Sequence, residues 1–158
     1  MKDAMINPRA GGDGWGNGAG REYGLAVLTA LTAAEIFGEA GAAQAQGFYT
    51  AIGRRLAAMV DLHAVRDLDG LSDRVNSVWG ACGLGHVRIR PVESGIRVTH
   101  RGAPATIEGD SAGHWAALFP ALLEGAYDAW FRQLGSGPAL VTRIVRHDGD
   151  LIELHHGG

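Results

Sequence analysis

The segment HWAALFPALLEGAYDAWFRQLG, residues 114–135, constrains this chain more than any other. Trp115, Phe119, Leu122, Ala126 and Trp130 recur at three- and four-residue spacing, which places them on one side of a helix, with Tyr127 and Phe131 beside them. Pro120 and Gly125 interrupt the same run. In an isolated helix these residues cost about 3 and about 1 kcal/mol, which only close packing could offset. Gly125 removes a side chain so that another helix can approach, and Pro120 is expected to bend the helix. The sequence therefore predicts a core seam of Trp115, Phe119, Leu122 and Trp130 against Phe48, Ile52 and Leu56.

Three more helices precede this one. Leu25, Leu28, Leu31, Thr32 and Ile36 lie along one side of a run from Tyr23 to Ile36, and Val27 and Ala34 widen the stripe, so this helix reads as buried on more than one side. After a break at Gly38–Gly41, Phe48, Ile52, Leu56, Met59 and His63 form a second stripe. Leu68, Leu71, Val75, Val78 and Cys82 form a third, capped by Asp67 or Asp69 and ended by Gly80, Gly83 and Gly85.

Alternation takes over at HVRIRPVESGIRVTHRG, where Val87, Ile89, Ile96 and Val98 alternate with Arg88, Arg90, Arg97 and Thr99 across a Glu-Ser-Gly turn. Asp110 or Ser111 is placed to cap the aromatic helix. A second hairpin, LVTRIV and LIEL, closes around RHDGD, with Asp148-Gly149 as the turn pair. Three helices, a hairpin, a helix and a hairpin predict an α+β fold: about four helices packed on an antiparallel four-stranded sheet made of two β-hairpins. Residues 1–20 read as a Gly-rich flexible leader around Trp15, and residues 21–158 as one domain.

With 14 basic and 17 acidic residues among 158, the net charge of −3 gives no general attraction to nucleic acid or anionic membrane. The apolar run LAVLTALTAA is too short and too interrupted by Thr to span a bilayer. It also starts too far from Met1, and is followed too closely by Glu35 and Glu39, for a secretory signal. The lone Cys82 cannot form an intrachain disulfide and fits a reducing compartment; its place in the apolar stripe predicts a buried thiol.

Catalytic patterns are absent from the sequence. The seven histidines are scattered, with no HExxH and no paired Cys, and His155-His156 is expected at a frayable end. Asp61, Asp67, Asp69 and Asp73 read as a solvated acidic face with a helix cap. Ser111 in GDSAG lacks the strand that a nucleophile elbow requires. Arg88, Arg90, Arg97 and Arg101 share the wet face of the first hairpin, where like charges repel unless acids or a partner lie opposite.

The segments GFYTAIGRRLAAM, VWGACGLGHVRI, IRVTHRGAP and HWAALFPALLEGAYDAW together resemble the bacterial cellulose synthase operon protein D family, the D subunit of cellulose synthase complexes. Trp115, then Leu123-Glu124-Gly125, then Tyr127 and Trp130 carry the resemblance most strongly. It runs from about Tyr23 to the last hairpin and leaves the leader without a counterpart. The resemblance implies a non-catalytic accessory subunit that forms octamers built from dimers and promotes assembly of glucan chains into crystalline cellulose. It implies no cofactor. Its partners would be other copies of itself, other synthase subunits or a small accessory protein, and β-1,4-glucan. Cytoplasmic placement is favoured over periplasmic. The oligomer interface is expected at Tyr23, Val27, Leu28, Leu31 and Ile36, and partner or glucan contact at Trp15, Arg88, Arg90 and Arg97. The competing function is a small-ligand sensor with a pocket lined by Trp115, Phe119 and Tyr127.

Overall fold

The computed structural model describes residues 18–158, so Trp15 and most of the leader lie outside the described residues. Its elements run α1 (Gly18–Ala40), α2 (Ala42–Ala58), α3 (Leu68–Cys82), β1 (His86–Val92), β2 (Gly95–Arg101), α4 (His114–Gln133), β3 (Val141–Asp148) and β4 (Leu151–Gly157). This is the expected α+β order. The first helix starts earlier than Tyr23 and takes in the last residues assigned to the leader, since Gly18–Gly20 are already helical.

Local chemistry sets the boundaries. Gly41, with φ of 79°, separates α1 from α2. Asp67 is the cap of α3, accepting from the Gly70 N–H at 2.8 Å, and Gly83 ends that helix in the left-handed conformation. Asp110, not Ser111, serves the start of α4: its two carboxylate oxygens accept from the His114 and Trp115 N–H groups at 2.9 and 2.8 Å. The last turn sits one residue later than the sequence suggests, at Gly149-Asp150, with Gly149 at φ 59°.

Of the 20 residues of α4, 12 are buried, because the helix lies between α2 and α1 on one side and β3 and β4 on the other. It runs unbroken through Pro120. The reason for Gly125 is explicit: a Cβ there would collide with the backbone carbonyl of Thr50 on α2. The relation is reciprocal, since a Cβ at Gly53 of α2 would strike the Leu122 carbonyl of α4. Two glycines thus bring the helix backbones into contact.

This crossing corrects the expected seam. Trp115, Phe119, Leu122 and Trp130 are buried, and Ile52 and Leu56 pack against the core, but Phe48 is 51% exposed. The buried face of α2 is Ala45, Tyr49, Gly53 and Ala57. Small residues permit the close approach, so the contact centres on them and leaves Phe48, Met59 and His63 outside. In α3 the buried stripe is Leu71, Val75 and Trp79, at strict four-residue spacing. Trp79 claims the inward position, so Cys82, at the end of the helix, is exposed and not a buried thiol.

The sheet order is β1-β2-β4-β3, with every neighbouring pair antiparallel. The strand that closes the described chain is therefore central, and it is longer than LIEL. His155 and His156 belong to β4, with His156 buried, in place of the frayed end that the sequence suggests.

Both sheet edges are partly closed by side chains. At β1, Asn76 of α3 accepts from the Val87 N–H at 2.7 Å and donates to its carbonyl at 2.9 Å. By alternation Pro91 also turns its ring nitrogen outward, where a strand loses nothing by lacking a donor. At β3, Glu124 accepts from the Ile144 N–H at 2.7 Å and Asp128 from the Thr142 N–H at 3.3 Å. Edges satisfied in this way are poor templates for a further strand.

Candidate functional site

Two buried histidines hold the polar chemistry of the interior. His100 on β2 is buried against Trp79, Phe119 and Tyr127. Its Nε2–H donates to the Leu84 carbonyl at 2.7 Å, which leaves Nδ1 to accept the Tyr127 hydroxyl at 3.1 Å. The Tyr127 oxygen in turn accepts from Trp79 Nε1 at 3.0 Å. Burial pushes His100 down to about 4, opposed by the Leu84 carbonyl and reinforced by His86. Burial also raises Tyr127. A neutral histidine with both nitrogens satisfied inside an aromatic cluster ties α3, β2 and α4 together.

His156 joins a second network. Its Nε2 meets Ser136 Oγ at 2.6 Å and its Nδ1 meets Thr142 Oγ1 at 2.9 Å, while the Phe131 ring lies 4.5 Å away. Burial lowers its pKa, with Asp128 acting in the opposite sense. This group borders an open cavity of about 500 Å³ lined largely by apolar side chains such as Val65, Leu68 and Phe131. Sequence reasoning missed it, because Ser136, Thr142 and His156 come from three separate segments.

The aromatic ligand pocket is overturned. Trp115 and Phe119 stack with centroids 4.9 Å apart, and Tyr127 is fully buried. The cavity beside Trp115 and Phe119 measures about 10 Å³, room for about one water and no haem-sized ligand. These rings are core. Among the described residues, no group of three or more His, Cys, Asp or Glu side chains is placed to hold a metal.

Two surfaces gather the remaining site residues. On α1, Leu25, Leu28 and Leu31 are 60, 62 and 58% exposed and Tyr23 is exposed beside them. Ala30 and Ala33 are that helix's buried contacts. Val27 is half-buried near Gly109, and Ile36 packs on the domain's own core, so it does not share the outward stripe. On the sheet, Arg90 lies directly opposite Arg97, and Arg88 opposite Thr99, all on the face away from the helices. His86, Arg101 and Glu153 complete a concavity there of about 600 Å³. The structure thus groups Arg88, Arg90 and Arg97 on one surface and exposes Tyr23, Leu28 and Leu31 on α1, with Val27 half-buried and Ile36 turned to the core.

No described helix is long and apolar enough to cross a membrane. No curated protein matches the chain in sequence comparison. The family model for the D subunit of cellulose synthase matches residues 25–157, a span that begins on the exposed side of α1 and ends in the central strand β4. A match that takes in every sheet strand, α2, α3, α4 with its Leu123-Glu124-Gly125 motif, and α1 from Leu25 onward covers nearly the whole chain, and the chain belongs to the cellulose synthase D-subunit family, whose work is in cellulose synthesis.

Proposed function

We propose that this chain is a non-catalytic scaffold subunit of the cellulose synthase complex, which promotes assembly of glucan chains into crystalline cellulose. The observation that carries the reading is the leucine stripe of α1: three leucines more than half exposed on a helix whose other side packs on its own domain. A lone subunit gains nothing by holding that much apolar surface in water, whereas a repeated subunit buries it between copies. Family membership supplies the setting.

In this reading, copies join through Tyr23, Val27, Leu28 and Leu31 into a closed homo-oligomer, an octamer built from dimers. The assembly works in the cytoplasm and holds synthases at fixed spacing. The arginine face contacts a partner, and multivalency lets individually weak contacts add up. Deleting the chain tests this directly. Synthase activity in membranes lacking it should persist, while the cellulose made by those cells should lose crystalline order or yield by diffraction. An isolated synthase that is inactive without this chain, or turnover of a sugar substrate by the chain itself, would overturn the reading.

A further inference from the structure

The outer face of the sheet carries more charge than the sequence reading assigned to it. Cross-strand pairing puts Arg143 opposite His155, which is itself opposite Arg97, and puts Arg146 opposite Glu153, which is opposite Thr99. Directly paired residues point to the same face, so Arg143 and Arg146 join Arg88, Arg90, Arg97 and Arg101. All six are exposed. They draw on 14 basic residues in a chain of net charge −3, so the concentration is local. Among the described residues, Arg146 pairs with Asp148 at 3.3 Å, and the other five have no carboxylate within ion-pair distance.

From this pattern we infer that the outer sheet face docks an acidic polypeptide segment, an extended stretch with Asp or Glu at alternate positions. The inference rests on the scaffold reading only in taking the arginine face as a partner contact. Successive same-face arginines on β1, Arg88 and Arg90, are two residues apart, about 7 Å along the strand, which is the spacing of alternate side chains in an extended peptide. Guanidinium groups pair with carboxylates in bidentate geometry. Neutral glucan offers no charge to offset the repulsion between Arg90 and Arg97. A continuous polyphosphate or an anionic bilayer would have to lie against Glu153 in the middle of the face, whereas a peptide can place an uncharged residue there. Asp67, Asp69 and Asp73 flank β1 on the α3 side and repel an acidic segment from its edge, where Asn76 already holds both backbone groups of Val87. The segment is thereby directed across the face and not onto the edge.

The test uses the full chain and fluorescent poly-L-glutamate as the probe. Wild type should bind it, with affinity falling as salt rises. Arg90→Glu/Arg97→Glu should weaken binding at least tenfold, while Arg54→Glu/Arg55→Glu, the same charge change on exposed positions of α2, should leave it within twofold. Should the reversed pair fail to fold, Arg90→Gln/Arg97→Gln serves instead. It relieves the like-charge pair, so it should melt no lower than wild type and still lose most of the binding. Equal loss in the α2 control, or no loss in either sheet variant, would overturn the proposal. So would arginine-dependent binding of inorganic polyphosphate or phosphatidylglycerol vesicles as tight as that of poly-glutamate, or of cellohexaose in its place. A chain that fails to bind poly-glutamate yet is still required for cellulose order refutes the docking and leaves the scaffold reading standing.

Discussion

The helices α1 and α4 are both long and rich in apolar side chains, yet they have opposite fates. Most of α4 is buried, while α1 buries Ala30 and Ala33 and turns Leu25, Leu28 and Leu31 to solvent. Apolar mass does not separate them. The difference lies in what each helix meets: α4 has a helix on one side and a sheet on the other, and α1 packs on α2 and α4 from one side only. The glycines make the same point. A Cβ at Gly53 or Gly125 would collide with the facing backbone, whereas one at Gly24 or Gly38 of α1 would have nothing within 4 Å. Glycine is a packing requirement at the α2–α4 crossing and is open to substitution on α1.

The largest expected effect breaks the α4 side of this comparison. Trp130 is fully buried, edge-on to Trp79 and Tyr127 with centroids 5.6 and 5.3 Å away. Trp130→Ala should destabilise the domain by about 3–5 kcal/mol in urea unfolding. Leu25→Ala on α1 should change the stability of the fold by less than about 0.5 kcal/mol. Similar losses from the two would show that α1 is core after all.

Next comes the titration of the network that anchors α4. His100 is lowered from its ordinary 6.5 to about 4, so the unfolded chain takes up the proton first as pH falls. The stability that this group contributes is fully present above about pH 6.5 and is lost as pH falls toward 4, by at most about 3 kcal/mol. His156 is lowered as well and adds in the same sense. Denaturation at pH 7 and pH 4.5 should show the loss, and His100→Gln should flatten the acid limb while keeping the part due to His156. An unchanged acid limb in that variant would show that His100 is not the group being titrated.

A glycine pair sharpens the contrast through opposite signs. Gly125→Ala should cost about 1–3 kcal/mol or more, because the Thr50 backbone must move aside. Gly24→Ala, with open space around it, should stabilise α1 by about 0.5–1 kcal/mol. Thermal melts of both variants decide it, and a destabilised Gly24→Ala would mean that something presses on that side of α1.

The smallest effect on the fold should accompany a large one on assembly. Leu28→Glu/Leu31→Glu alters exposed positions, so the circular dichroism of the protein should be unchanged. Particle mass by light scattering should fall. An unchanged mass with intact folding would refute the proposed interface on α1.

Elements whose signals are local were legible in the sequence. Asp67, one of two cap candidates, and Gly83, one of three terminating glycines, bound α3 by side-chain capping and a left-handed conformation, and the alternation of Val87, Arg88, Ile89 and Arg90 marked which face of β1 is wet. The α+β order and the role of Gly125 also followed from spacing and backbone cost. Partners distant in the chain decided the rest. Phe48 and Cys82 are misplaced by sequence because a helical stripe can be drawn through either of two neighbouring tracks, and only contact with Gly125 on one side and the core around Trp79 on the other selects the track that turns inward. His155 and His156 look terminal because nothing in LIELHHGG announces that β4 inserts between β2 and β3. The six-arginine face has the same origin: Arg143 and Arg146 lie more than 40 residues beyond Arg101 or Arg97, and only strand pairing through β4 joins them. Sequence by itself determined the periodicity, the candidate caps and the family. Tertiary structure alone decided which apolar faces are covered and which charges share a surface, because those depend on the neighbours that each element finds.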